Sequence, residues 1–407
     1  MEFRRFALAL VVCLIGGLTL SASAQTVVVW SQSDVRHEQF VEIVEWYKQE
    51  NPGIDVTVEL IPGGQDEFTE KLILAIASGA PPDLTWLEGS TVIELAAQGL
   101  LTDATRTLEG IRFTPADTEE MTFDGKMWAV PYHTTSRGLF KRTDLFQEAG
   151  LDHQANPADL DELWDWSQKL TDSNNDGTYD RVGFIPWGTN WGAPAWIWTF
   201  GGQLLDESLR PTATHPNNIR AFEWLQEWGQ SYGGTSPVPG GPNGFINGTI
   251  AMLADSTTTA GRFLDQGVEF TTGRVPHPPG GQNGTWGGGQ ALGVPYNATN
   301  KDEALKLLRY FGEEKTQVRR FERFPEAFPA NWDALQTIVP TLPDAYASLL
   351  DQLPEARPRT PLWIDYYVRN LRPAEAAVVA GNQTPHQALS NVQQVMEERF
   401  AQVFGTR

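Results

Sequence analysis

The sequence predicts an α/β protein organised on an open, mostly parallel sheet. Three observations carry this. Short apolar or alternating runs at Val27–Trp30, Ile54–Leu60 and Leu84–Leu87 read as strands, with helical patterns between and after them. Strand–helix alternation at that spacing is the mark of a parallel sheet covered by helices. A glycine- and tryptophan-rich middle, about 139–293, follows this regular half, and strong helical signals resume from Ala298.

Each element has a local cause. Phe40, Ile43, Val44 and Tyr47 share one helical face, and Asn51-Pro52-Gly53 stops that helix. Asp66 is placed to cap a second helix whose apolar face is Phe68, Leu72, Ala75 and Ile76. Pro81 and Pro82 break the chain before the third strand, and Thr91–Gln98 makes a third helix. Helical patterns at Leu160–Leu170 and Asn218–Tyr232 place Trp164, Trp166, Trp224 and Trp228 as packing residues. Asn300 with Glu303 reads as a capping box before Leu305, Leu308 and Phe311. Thr384, Pro385 and Gln387 start a last helix with the apolar stripe Leu389, Val392, Met396, Phe400 and Val403.

Arg4 and Arg5, the apolar run Phe6–Leu20 and Ala22-Ser23-Ala24 form a secretory signal peptide, so residues 1–24 stand outside the fold and Gln25 begins the mature chain. Cys13 lies inside that apolar run behind Val11 and Val12, without the small residues that precede a lipid-anchored cysteine. The mature chain then has no cysteine, which removes disulfides, cysteine nucleophiles and cysteine-held metal. Its 383 residues suggest two or three domains. The formal charge of −21 repels phosphate backbones and anionic lipid, so nucleic acid is not an expected partner.

Trp187, Trp191, Trp196, Trp198 and Phe200 stand among Gly188, Gly192 and Pro194, a loop opening into a helix. Aromatic rings dominate protein cores, so all four indoles can be structural. Yet they lack aliphatic neighbours at a regular period, and flat indole faces suit the C–H face of a pyranose. A second string, Asp172, Asn174, Asp176, Gly177 and Asp180, copies the start of a calcium loop. Position 12 is Gly183 rather than a bidentate glutamate, so a polar turn tied by its own side chains competes with bound calcium.

Several strings coincide in order: Asn51-Pro-Gly-Ile-Asp-Val, Ala77-Ser-Gly-Ala-Pro-Pro-Asp-Leu84, Gly125-Lys-Met-Trp-Ala-Val-Pro-Tyr132, Leu139–Leu151, and Gly287-Gly-Gly-Gln-Ala-Leu-Gly-Val294. Together, behind a signal peptide, they resemble the family-1 extracellular solute-binding proteins of ABC importers, the sugar binders similar to maltose-binding protein. The match loosens at Leu139-Phe140-Lys141-Arg142-Thr143-Asp144, where the family reads Leu-Tyr-Tyr-Asn-Lys-Asp. The resemblance implies a two-lobe periplasmic-binding-protein fold of type II, its discontinuous lobes joined by a hinge. It would set residues 25–135 plus 294–340 in an N-terminal α/β lobe, and 136–293 plus 341–407 in a C-terminal lobe. Crossings would fall near Tyr132–Gly138, Gly289–Val294 and Ala330–Pro343.

Sugar recognition needs flat apolar faces and planar polar groups matched to vicinal hydroxyls. The first lobe offers Trp30, Gln32, Glu67, Trp86 and Glu88 at strand ends or the following turns, where helix capping or solvation is the plainer role. The second offers Trp187, Trp191, Trp196, Asp255 and Trp286, with Gln290, Arg357 and Trp363 completing the set. No catalytic residue is assigned. The expected protein is a periplasmic or secreted monomer that delivers a mono- to trisaccharide to the transmembrane subunits of an ABC permease. Two alternatives remain: an anionic glycerophosphodiester, for which Arg262, Arg323, Arg357 and Arg359 are the available cations, and a secreted carbohydrate-active hydrolase using paired carboxylates.

Overall fold

Apolar runs pair as strands here because helices cover both faces of each sheet: Leu84–Glu88 and Ile250–Ser256 are buried throughout, while Thr26–Ser31 alternates. A computed structural model describes residues 26–405; the expected signal peptide and cleavage site lie outside the described residues. Among the described residues there are twelve strands, β1 (Thr26–Ser31), β2 (Asp55–Leu60), β3 (Leu84–Glu88), β4 (Thr122–Phe123), β5 (Lys126–Met127), β6 (Ala129–Pro131), β7 (Arg137–Arg142), β8 (Asp172–Ser173), β9 (Tyr179–Phe184), β10 (Ile250–Ser256), β11 (Phe270–Gly273) and β12 (Gln290–Gly293). One sheet runs β2-β1-β3-β12-β6 and the other β11-β7-β10-β9-β8, while β4 and β5 form a separate hairpin. In the first, β1 pairs parallel to both β2 and β3, as the alternation predicts.

Each sheet has its own core. Val27, Val29, Phe40, Val44, Trp86 and Phe311 pack on one face of the first, and Leu72, Ile76, Leu87 and Met121 on the other. The second lobe buries Phe184, Trp191, Trp196, Trp228, Leu389 and Met396 together. Three stretches connect the lobes. Tyr132–Ser136 leads from β6 to β7, 274–289 leads from β11 to β12, and Phe328 and Asn331 bridge to Thr134 and Phe113.

Several local expectations hold and several are corrected. Thr384 accepts from the Gln387 N–H and Gln387 bonds back, the full capping box. Asp66 does not cap: the helix Gln65–Ala77 starts from Gly64, and Asp66 instead pairs with Arg369. Asn300 stands at the N-cap but gives no side-chain cap: its Nδ2 donates to Asp83 and to the Thr26 carbonyl, both at 3.0 Å, and its Oδ1 accepts from no backbone N–H. The third helix is shorter than expected, a 3-10 turn Gly89–Thr91 followed by Val92–Ala97. Gln290–Gly293 is a strand of the first sheet, paired antiparallel with β3 and β6, so the chain returns to that sheet before residue 294. The Asp172–Asp180 string is a hairpin: Asp176 accepts from the Thr178 N–H at 3.0 Å and its hydroxyl at 2.7 Å, while Asn174 reaches Thr178 and Asp180. Among the described residues no three His, Cys, Asp or Glu side chains are grouped to hold a metal.

Gly183 marks how closely the second sheet meets its helix, since a Cβ there would drive into the Ser167 carbonyl group. Backbone on both sides leaves no flexible atom to yield. Gly183→Ala is therefore expected to lower unfolding free energy by about 1–3 kcal/mol in urea titration; an unchanged midpoint and slope would contradict this packing.

Candidate functional site

The carboxyl ends of β1, β2 and β3 face the second lobe, where open α/β sheets bind ligands. Gln32, half-buried after β1, donates from Nε2 to the Gly63 carbonyl at 2.6 Å, tying the first two strand ends together. Glu67 is exposed and leans against Gly63. Glu88 ends β3, accepts from Gln65 at 2.8 Å, and pairs with Arg359. Trp30 lies on the sheet face, its Nε1 donating to Glu59 at 3.0 Å and its ring 6.3 Å from Phe68.

Arg359 comes from the segment 353–363 that runs between the lobes, and it closes a buried charge cluster. Its Nε and Nη2 reach Glu120 at 2.8 Å each, its own N–H reaches Glu120 at 2.7 Å, and Nη1 reaches Glu88. Burial opposes its charge, but Glu120 and Glu88 raise its pKa above even the usual guanidinium value. Burial pushes Glu120 up while Arg359 pulls it down, with a net rise. Behind it, burial and then the Glu120 charge push Asp117 up to about 7.

Gln290 is a knot rather than an open contact. Its Oε1 accepts from the Tyr132 hydroxyl at 2.9 Å, from Arg36, and from His133 Nε2 at 3.2 Å. Burial holds His133 well below the usual imidazole pKa, so the neutral ring donates through Nε2.

The second lobe places the nominated tryptophans at different depths. Trp191 and Trp196 are wholly enclosed, Trp196 donating to the Pro186 carbonyl at 2.7 Å and packing on Trp224. Trp86 is equally enclosed in the first lobe, edge-on to Phe68 at 5.1 Å. These three do not line a gap; core burial took their full surface, which corrects their assignment as ligand residues. Trp187 stays half-buried on the rim. Asp255 is fully buried and committed, accepting from Asn190 Nδ2 at 2.8 Å, Thr259 at 2.6 Å and the Ser256 N–H at 2.7 Å. It holds the loop that carries Trp187 and does not face a ligand directly.

Trp286, Trp363 and Trp198 form a row, with Trp286 5.0 Å from Trp363 and Trp198 stacked on Trp363 at 6.2 Å and 12°. The row ends at an interlobe cavity of about 770 Å³. Pro115, Glu119 and Phe123 line it from the first lobe, Trp198 and Gln203 from the second, and Arg357 from the segment 353–363, which pairs alongside the second connection through Trp286. That volume falls within the roughly 300–1,000 Å³ of small-ligand sites. Arg357 sits 5.9 Å from the Trp198 ring. Trp198 belongs to the aromatic stretch but is not among the residues the sequence nominated; Glu119, Gln203 and Phe123 carried no signal, being brought together only by the fold.

Two lobes strung on three connections, with aromatic and polar walls meeting across a cavity, define a hinged ligand-binding protein. The chain belongs to the bacterial extracellular solute-binding protein family, whose model matches residues 33–318. This is a family of binders, not enzymes. Among solved structures, the sugar-binding protein MalE from Xanthomonas citri superposes with a TM-score of 0.77 at 22% identity, covering 93% of this chain and 98% of that one. CpMnBP1 with mannotriose bound gives 0.76 at 21% identity, covering 91% and 99%. At such identities the likeness speaks for the two-lobe fold. A glycerol-3-phosphate-binding periplasmic protein of Brucella melitensis is 23% identical over 325 residues, covering 74% of each chain.

The buried Asp117 carboxyl makes a pH prediction. Its folded pKa of about 7 lies above the ordinary aspartate value near 4. Folding therefore favours the protonated form, and that contribution, complete below about pH 4, is lost as pH rises through about 7. Wild type is expected to lose stability relative to Asp117→Asn between those limits, read from urea unfolding at stepped pH. A difference constant with pH would contradict the assignment.

Proposed function

We propose that this protein captures a mono- to trisaccharide between its lobes and delivers it to the transmembrane subunits of an ABC importer, acting as a monomer in the periplasm or outside the cell. The observation that carries the reading is the interlobe cavity edged by Trp198 and Arg357 and faced by Glu119 and Gln203. An indole edge beside a guanidinium, an amide and a carboxylate suits a ring with one apolar face and a rim of hydroxyls. Solved relatives carry mannotriose and, in a cyclo/maltodextrin-binding protein, maltotetraose, which fits the same substrate class.

The charge arrangement argues against a phosphodiester. Arg262 donates to Asn243 at 2.5 Å, Arg323 pairs with Glu42 at 3.2 Å, and Arg359 is closed by Glu88 and Glu120. Of the four arginines the sequence offers for an anion, Arg357 alone lines this cavity without an ion pair among the described residues, and Arg137, also outside any ion pair, does not line it. The same cluster argues against hydrolysis, because Glu88 and Glu120 are held by one cation rather than set apart to act as acid and base.

Calorimetric titration with mannotriose, maltotetraose and sn-glycerol-3-phosphate tests this. Binding of a neutral saccharide at one site per chain, recovered chemically unchanged, is the expected result. Binding of glycerol phosphate alone, or release of cleaved sugar, would overturn it. Trp198→Ala should weaken saccharide binding more than about 10-fold, equivalent to ~1.4 kcal/mol, with tryptophan emission of the wild type shifting on titration.

A further inference from the structure

Arg137 opens β7 directly after the first connection and is 6% exposed. Buried arginines ordinarily find a carboxylate, as Arg359 does, because an uncompensated buried charge is costly. Arg137 makes no ion pair among the described residues. Its guanidinium carbon lies 3.0 Å from the centroid of the Trp286 ring. Nε donates to the Asn190 carbonyl at 3.1 Å, and Nη1 donates to the Trp286 carbonyl at 2.7 Å and the Thr135 hydroxyl at 3.0 Å. Burial, with Arg359 nearby, lowers its pKa to about 9.

These contacts fix the plane of the fork and leave one arm over. Nη2 has no protein acceptor among the described residues, and it is not among the unpartnered atoms sealed from solvent. It therefore keeps some exposure to solvent, on the guanidinium edge it shares with Nε, the edge that meets the carbonyl of the exposed Asn190 on the loop that carries Trp187. A planar donor held rigidly by stacking and three bonds loses little freedom when it takes a fourth.

The geometry points to Arg137 as a ligand-contacting residue whose Nη2 donates to a hydroxyl or ring oxygen of a neutral saccharide. This rests on the proposed function and extends its ligand space beyond the cavity, which Arg137 does not line, along the Trp198, Trp363 and Trp286 row to the guanidinium stacked on Trp286. The acceptor is neutral because the charge is already balanced one residue away. Asn190 accepts from Arg137 through its carbonyl and donates through Nδ2 to Asp255 at 2.8 Å, joining cation and carboxylate. A phosphate would add a second negative charge beside Asp255.

Wild type, Arg137→Lys and Arg137→Met are titrated by calorimetry with the tightest-binding neutral saccharide of the panel, its monodeoxy analogues and sn-glycerol-3-phosphate. Thermal melts of the unliganded proteins report folding separately. The expected loss for Arg137→Met is roughly 10- to 100-fold, the scale of a hydrogen bond to a charged group. One deoxy analogue should bind wild type and Arg137→Met equally, since the acceptor is then already missing; a purely structural role would weaken every ligand alike. Arg137→Lys should retain folding but lose most of the discrimination. Equal loss across all analogues, or tightest wild-type binding of glycerol phosphate, overturns the assignment. A wild type that binds no saccharide overturns the function reading, and this contact with it, and is distinguished by the absence of any wild-type signal.

Discussion

The molecule depends on one buried cation. Arg359 stands between Glu88 at the end of a first-lobe strand and Glu120 on the neighbouring helix, with a further bond to the Gly289 carbonyl. Removing three charges from water is repaid only where nearly every donor and acceptor is used. Close approach demands glycine around it: a Cβ at Gly89 or Gly288 would collide with Glu120, and Gly288 also takes φ +92°. The cluster sets the path of the segment 353–363. That path in turn places Arg357 at the cavity and Trp363 in the aromatic row.

From this junction the two lobes meet through further contacts. Arg369 of the second lobe pairs with Asp66 of the first, and the Leu362 N–H donates to Glu94 at 2.7 Å. Exposed ion pairs of this kind contribute little singly. On the proposed function, a ligand that bridges both walls would add contacts only a closed arrangement supplies and would shift the population toward closure. Binding and closure are then one equilibrium.

Much of the fold is readable locally, and the reason is periodicity. The first three strands, the helix after each, and the Thr384 capping box all follow from patterns within about twenty residues. β12 is different: Gln290–Gly293 is four residues long and acquires its identity only by pairing with β3 and β6. The site is less legible for a related reason. Trp191, Trp196 and Trp198 share one local setting and one core, yet the first two are fully enclosed while Trp198, 3% exposed, still reaches the cavity with an edge, a distinction made by distant packing. Arg359 and Glu120 lie 239 positions apart. Arg137 likewise gains its meaning from Trp286 and Asn190, neither near it in sequence. Buried charge has no periodic signature.

A guest seated between the lobes is the central expectation. A crystal structure of the protein with a bound oligosaccharide is the most direct test. The sugar should occupy the space between the lobes, one ring against the Trp198 indole and its hydroxyls toward Arg357, Gln203 and Glu119, with the Arg359 cluster unbroken. A sugar bound on the outer surface of one lobe, or an interlobe cavity that stays empty at saturating sugar, would contradict it.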